Sequence, residues 1–161
     1  MTEPENVHAT GLQLGGLGVM LRGPSGSGKS LLALALLDEF TARGETAWLV
    51  ADDRIDLVVA DGQAVMQTPV SIAGMIEMRG RGIVTRPHIN SAAVDLVVDL
   101  VADLERMPEV SAFSTELMGL KLSRCPVPQA GRTDMRHQML LIREALAELQ
   151  STKAQTRQKD T

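Results

Sequence analysis

The chain has 161 residues, of which 44% are hydrophobic, 22% are charged and only 2% are aromatic, and its formal net charge at pH 7 is −4. This length and composition predict one folded domain with its own core and exclude the disordered and fibrous classes. The acidic balance and the scarcity of aromatic rings argue against a nucleic-acid partner, which Lys, Arg and stacking side chains normally bind.

The sequence also lacks the signals of secretion and membrane insertion. Residues 1–7 form no basic and apolar leader, and no apolar run approaches the roughly 18 residues of a membrane span. The single cysteine, Cys125, has no partner for an internal disulfide. We therefore expect a cytoplasmic protein with no membrane partner.

Strand and helix signals alternate along the first half of the chain. In chain order we predict strands at 7–14 and 19–21, a helix at 30–43, a strand at 46–51, and a hairpin at 55–60 and 64–68. The helix is apolar on nearly every side, so it should be buried. The strand at 46–51 ends in Asp52-Asp53, and ligands gather at the carboxyl ends of such strands in α/β sheets.

The second half gives weaker signals. Residues 94–101 fit a strand, although a helix is not excluded, and the Pro- and Gly-containing residues 107–132 indicate mostly loop with short extended pieces. Residues 133–149 predict an amphipathic helix. We expect the domain to span residues 1–150 and the polar residues 151–161 to form a disordered tail.

A phosphate-binding loop follows the second predicted strand and opens the first helix. It matches G-x-x-x-x-G-K-[S/T] and consists of Gly23, Pro24, Ser25, Gly26, Ser27, Gly28, Lys29 and Ser30. Its glycines let successive N–H groups face phosphate oxygens, Lys29 can reach the β- and γ-phosphates, and Ser30 can ligate Mg²⁺. The loop predicts nucleotide binding but leaves ATPase, GTPase and kinase open.

Two further groups carry candidate chemistry. Asp52 and Asp53 fit a turn or a helix cap, but beside a nucleotide they could divide metal binding and proton acceptance between them. Residues 76–83, Ile-Glu-Met-Arg-Gly-Arg-Gly-Ile, fit a charged turn. They also fit a loop that supplies Glu77 as a metal ligand and Arg79 as a cation for the transferred phosphoryl group. For both groups, the spacing alone does not decide between the structural and the functional interpretation.

Four segments in this order resemble the catalytic domain of the HPr kinase/phosphorylases, bacterial enzymes that phosphorylate a serine of the phosphocarrier protein HPr and can reverse this by phosphorolysis. The segments are His8 ahead of the phosphate loop, VADDRIDL at 50–57, IEMRGRGIV at 76–84, and CPVPQAGR at 125–132. The resemblance covers about residues 7–132. It implies a P-loop kinase-like α/β domain with a mixed central sheet and flanking helices.

The resemblance also implies roles for individual residues. Lys29 would hold the phosphates, Ser30 and Glu77 would bind Mg²⁺, and Asp53 would take the proton of the HPr serine. Asp52 would support the metal or orient its neighbour. His8 would lie near the phosphates, although a lone strand histidine is also a common structural residue. Arg106 falls near the position of a catalytic arginine of the family, although by itself it fits a solvated surface charge.

The same resemblance implies ATP or pyrophosphate as the donor, Mg²⁺ as the metal, and a hexamer of the short form found in α-proteobacteria. This chain departs from the family pattern at Leu31, where relatives usually have an acid, and at Arg81, where they have an apolar residue. Two other functions stay open: a small-molecule kinase of the nucleoside-monophosphate type, and a nucleotide sensor without catalysis. The first predicts an arginine-rich lid and leaves the segment 76–84 unexplained.

Overall fold

A computed structural model describes all 161 residues of the chain. The helices are α1 (Lys29–Ala42) and α2 (Met135–Lys159), with short 3₁₀ turns at Val70–Ile72 and Val110–Phe113. The strands are β1 (Glu5–Val7), β2 (Thr10–Leu14), β3 (Leu17–Arg22), β4 (Ala47–Ala51), β5 (Ile55–Ala60), β6 (Gln63–Gln67), β7 (Met75–Met78), β8 (Gly82–Thr85), β9 (Ser91–Ala93), β10 (Leu96–Val101), β11 (Ser114–Leu117) and β12 (Leu120–Pro128). No helix has the length and apolar character that crossing a membrane requires.

A mixed six-stranded sheet forms the centre, in the order β11-β12-β10-β3-β2-β4. Strand β10 runs parallel to β12 and β3, whereas β2 is antiparallel to both of its neighbours. Strands β3, β4, β10 and β12 therefore point the same way. Their carboxyl ends meet at one edge of the sheet, which is where α/β proteins place their ligands.

Both faces of the central sheet are covered. One core cluster packs α1 and α2 against one face and includes Val19 and Leu21 of β3. Met20, between them, points to the other face and belongs to the second cluster, which joins the central sheet to a four-stranded sheet, β1-β5-β6-β9. This alternation along one strand is the period-two pattern that burial on both faces requires. The predicted α/β fold with a mixed sheet and flanking helices is confirmed.

The strands predicted at 7–14 and 19–21 pair as the hairpin of β2 and β3, and the hairpin predicted at 55–60 and 64–68 is that of β5 and β6. The buried helix α1 and the strand β10 are also present. The interpretation of residues 107–132 as mostly loop is wrong, because β11 and β12 occupy much of it. Its prolines suggested a loop. In the structure, β11 pairs only with residues 120–123 of β12, so the rest of β12 has no strand on that side. Pro126 and Pro128 therefore lie where β12 is an edge strand, and an edge strand tolerates proline.

Helix α2 continues to Lys159, ten residues beyond its predicted end at Leu149. The expectation of a disordered tail from residue 151 is therefore wrong for the local structure. These residues are exposed and polar, but Lys, Ala, Gln and Arg are good helix formers. Arg157 and Lys159 in the last turn also favour the negative end of the helix dipole.

Asp99 ties together the three parallel strands next to the phosphate loop. Its carboxylate accepts two hydrogen bonds from Arg22 on β3, at 2.8 and 2.9 Å, and one from Nε of Arg124 on β12, at 2.6 Å. Burial opposes ionisation of this carboxyl, but the two arginines outweigh it and hold its pKa below the ordinary value. Since Arg22 directly precedes Gly23, this cluster fixes the point where the loop leaves the sheet.

Asp99→Asn should lower the free energy of unfolding by about 2 to 4 kcal/mol at pH 7, because it leaves two partly buried guanidinium groups without a carboxylate. A depressed native pKa contributes stability above the unfolded value and loses it as the pH falls through the native pKa. The difference from wild type should therefore shrink below pH 3.8. Urea unfolding at several pH values would measure it, with the exposed Asp103→Asn as control. Equal stability at pH 7 would contradict the expectation.

Candidate active site

The phosphate loop connects β3 to α1 at the ligand-binding edge of the sheet. Gly26 and Gly28 have positive φ angles of 80° and 95°, and Gly28 is the residue that precedes the helix. The Lys29 ammonium donates hydrogen bonds to the carbonyl oxygens of Gly23, at 2.8 Å, and Pro24, at 3.2 Å. The lysine is thus folded over the loop, where it would meet the phosphates of a bound nucleotide.

Two polar groups of the loop fit an anionic ligand. The hydroxyl of Ser27 is the one buried side-chain N or O atom of the chain that has no hydrogen-bond partner. Burial lowers the pKa of Lys29, whereas the charges of Asp53 and Asp52 oppose that shift. Phosphate oxygens would give the Ser27 hydroxyl its missing partner and the Lys29 ammonium an opposite charge.

The segment after β12 packs closely on this loop. The N–H of Ala130 donates to the carbonyl of Ser27 at 3.0 Å, and a Cβ added at Gly28 would lie 2.7 Å from Cβ of Ala130. The late segment that follows Cys125 is thereby brought to the phosphate site. Sequence reasoning named the segment but gave no role to Ala130, whose hydrogen bond uses only backbone atoms and leaves no side-chain signal.

Gly28→Ala should cost about 1 to 3 kcal/mol of stability and weaken nucleotide binding, because the methyl group meets both a positive φ angle and Ala130. Gly26→Ala is the matched control: it has φ +80° but no atom within 4 Å of the added Cβ. Its effect should come from φ strain alone and be smaller. Calorimetric titration with a non-hydrolysable ATP analogue would compare them, and equal losses of affinity would contradict a role for Ala130.

Asp52 is a buried carboxylate that organises the start of α1. Its oxygens accept hydrogen bonds from the hydroxyl of Ser30, at 2.8 and 3.0 Å, and from the hydroxyl of Thr10, at 2.9 Å. The backbone N–H of Glu77 donates to it at 3.2 Å. Thr10 was missed by sequence reasoning; the only signal was a small polar residue at the start of a mostly buried strand.

Asp53 points the other way, into solvent. Its φ angle is +69°, an uncommon conformation for a residue other than glycine, and its Oδ1 lies 2.5 Å from Nε2 of His8. The two side chains are 66% and 47% exposed. Backbone strain of this kind collects at functional sites. The structure thus turns two adjacent acids to opposite sides, one toward the loop serine and one toward solvent.

Glu77 and Arg79 belong to the hairpin of β7 and β8, which packs against α1. Glu77 is exposed, and its backbone reaches Asp52. Arg79 is exposed in the tight turn and forms no ion pair. The structure therefore brings the segment 76–84 to the acids. The catalytic role of Arg79 stays a prediction.

Arg106 does not join this cluster. It is exposed in the segment after β10 and lines a cavity of about 1050 Å³ between that segment, β12 and α2. Arg132 and His137 line the same cavity, whereas Lys29, Asp53 and Glu77 do not. A role for Arg106 in the reaction stays a prediction without a contact to support it.

The residues present fit a magnesium ion. No group of three or more His, Cys, Asp or Glu side chains is arranged to hold a metal by itself. Mg²⁺ in nucleotide sites, however, uses one or two protein oxygens and takes its other ligands from phosphates and water. Ser30, fixed by Asp52, is such an oxygen at the mouth of the loop. Ser30 and Asp52 are therefore the groups that would hold it.

The comparisons with known proteins identify the family of this chain. Residues 1–135 match the family model of the HPr serine kinase C-terminal domain. The HPr kinase/phosphorylase of Clostridium acetobutylicum is 35% identical over 75% of this chain and 40% of its own length. That of Streptococcus equinus is 32% identical over 82% of this chain and 45% of its own length. The chain thus spans less than half the length of these curated relatives.

A solved structure described as the Hpr(Ser) kinase/phosphatase from Coxiella burnetii superposes with a TM-score of 0.74 at 27% identity. The likeness covers 95% of this chain and 97% of that one. It therefore includes both sheets, both helices and the edge that carries the phosphate loop and the two acids. The chain belongs to the HPr serine kinase C-terminal domain family.

Proposed function

We propose that this chain is a protein-serine kinase that transfers the γ-phosphoryl group of ATP to a serine of HPr. The observation that carries the proposal is that the two adjacent acids contact different groups. Asp52 holds Ser30 beside the phosphate loop, whereas Asp53, paired with His8, faces solvent where a protein serine can approach. The relatives' names supply the identity of the acceptor.

In this mechanism the chain positions the donor before it activates the acceptor. Backbone N–H groups of the loop, the Ser27 hydroxyl and the Lys29 ammonium would bind the phosphates. Ser30 and Asp52 would hold Mg²⁺, with Glu77 as the further ligand that the family resemblance implies. When bound, Mg²⁺ neutralises charge on the β- and γ-phosphates. Arg79 would add a cation to the transferred group as it moves from donor to acceptor.

Proton transfer is assigned to Asp53. The acceptor hydroxyl gives its proton to the Asp53 carboxylate while its oxygen forms a bond to the γ-phosphorus, and the bond from that phosphorus to the β–γ bridging oxygen breaks. His8 is the positioning residue, because its hydrogen bond holds the carboxylate in one orientation. In the reverse direction the protonated Asp53 would return the proton to the serine oxygen.

Incubation with γ-labelled ATP, Mg²⁺ and HPr tests the proposal. We expect acid-stable label on a serine of HPr and none on an HPr variant whose acceptor serine is alanine. Nucleoside monophosphates in the same mixture should remain unlabelled. Label on a nucleoside monophosphate, or release of phosphate without labelled HPr, would overturn the assignment in favour of a small-molecule kinase or an ATPase.

The remaining expectations belong to the same proposal. Pyrophosphate in place of ATP tests the second donor, and phospho-HPr with inorganic phosphate tests phosphorolysis. Light scattering tests the homo-oligomer, for which the family resemblance implies a hexamer. A cytoplasmic location stays a prediction from composition.

A further inference from the structure

The hairpin of β7 and β8 presents an apolar surface immediately beside the acids. Ile83 is 64% exposed, and the strand register places it directly opposite Glu77, so that both side chains project from the same face. Met75 lies on this face as well and is 36% exposed. The opposite face, with Ile76, is the one that packs on the core. We call the outward surface formed by Met75, Arg81 and Ile83 the hairpin face.

The neighbouring reaction site is open. Asp53 and His8 are about half exposed or more, and the 1050 Å³ cavity lies elsewhere, lined by neither of them. Sites for small molecules enclose most of the ligand surface. Asp53 is 66% exposed, so it is not enclosed in this way. An acceptor that binds here must therefore obtain its affinity from surface beyond the reacting hydroxyl, as a folded protein does.

The charge of the hairpin face restricts the kind of partner that can bind there. Arg81 is exposed at the turn and forms no ion pair, and neither does its neighbour Arg79. Arg81 therefore places a cation at this edge of the hairpin. Its complement on a partner is a carboxylate, which steers association and favours one partner over another.

We propose that the hairpin face is a docking surface for the acceptor protein: an apolar side chain near the phosphorylated serine packs on Ile83 and Met75, and a carboxylate of the acceptor pairs with Arg81. This inference rests on the proposed function. It adds that acceptor recognition is separable from catalysis, because none of the three side chains forms a hydrogen bond or ion pair with the phosphate loop or its two acids.

Steady-state phosphorylation with HPr as the varied substrate tests it. Ile83→Ser should raise the KM for HPr about tenfold, because it removes most of a buried aliphatic contact. Its kcat and its affinity for ATP should stay within about twofold of wild type. Arg81→Glu should raise the same KM and weaken its dependence on salt. Leu140→Ser, which changes a 61% exposed leucine on α2, is the matched control and should leave KM unchanged.

Calorimetric titration of HPr into each variant measures docking without catalysis. If HPr is phosphorylated and Ile83→Ser and Arg81→Glu bind it as wild type does, the docking proposal is overturned and the kinase assignment stands. If HPr is not phosphorylated but binds in a manner that both substitutions weaken, the docking proposal is supported and the kinase assignment fails. Loss of self-association in Ile83→Ser with unchanged HPr binding would assign the face to a second copy and overturn the proposal.

Discussion

Asp53→Asn should lower the rate of phosphoryl transfer to HPr by at least about 100-fold, the lower range of what a positioned general base contributes. Asparagine has almost the same shape and tolerates the positive φ angle of this position. It keeps a hydrogen bond to His8 but cannot accept the proton of the serine. Transfer from labelled ATP, measured at saturating HPr, reports the effect.

Nucleotide affinity separates this role from a structural one. Asp53 is exposed and makes no hydrogen bond to the phosphate loop, so the affinity for ATP should change by less than about threefold. Asp61→Asn is the matched control, because Asp61 also has a positive φ angle, of 52°, in the turn between β5 and β6. Retained transfer in the Asp53 variant would remove its role as base.

Lys29→Met should weaken both nucleotide binding and transfer. The ammonium is the cation nearest the expected phosphates, and removal of such a group costs about 100- to 1000-fold in rate. Methionine keeps the length and apolar body of the buried side chain, so the loop loses the charge but not the packing. The affinity for ATP should fall at least about tenfold, which is a loss of about 1.4 kcal/mol.

Stability measurements show whether a loss of activity in Lys29→Met comes from unfolding or from the lost charge. The thermal midpoint without nucleotide should stay close to wild type, because the burial that lowers the pKa of Lys29 also disfavours its charge. Lys153→Met, which changes an exposed lysine paired with Asp95 at 2.7 Å, should affect neither ATP binding nor transfer. Unchanged affinity in Lys29→Met would show that phosphates are held elsewhere.

Much of the candidate site could be predicted because its polar motifs lie directly at the ends of strands and helices that the sequence also predicts. The loop at 23–30 lies between a clear strand and a clear helix, and the acids end an apolar run, so their common edge followed from strand direction. The contact of Ser30 with Asp52 at 2.8 Å is the outcome of that geometry. The pairing of His8 with Asp53 was less accessible, since it depends on how two distant segments align.

Other features depend on tertiary context that local pattern does not contain. The prolines of β12 indicated loop, because whether a proline lies on an edge is decided by which strands pair beside it. The four-stranded sheet joins β1 to β5 and β6 to β9 across long separations in the chain. Arg106 shows the opposite case. Its position along the sequence suggested a role, but the structure places it in the lining of a cavity that the two acids do not line.

The pairing of β1 with β5 and of β2 with β4 has a consequence for when the enzyme becomes competent. Residues 5–14 and 47–60 run side by side and cross together from the small sheet to the central one. His8 and Asp53 lie at the crossing point of these two segments. The pair that contains the proposed base is thus assembled only when both sheets have formed and joined. A partly folded chain could possess a nucleotide loop yet lack the means to pass the phosphoryl group on.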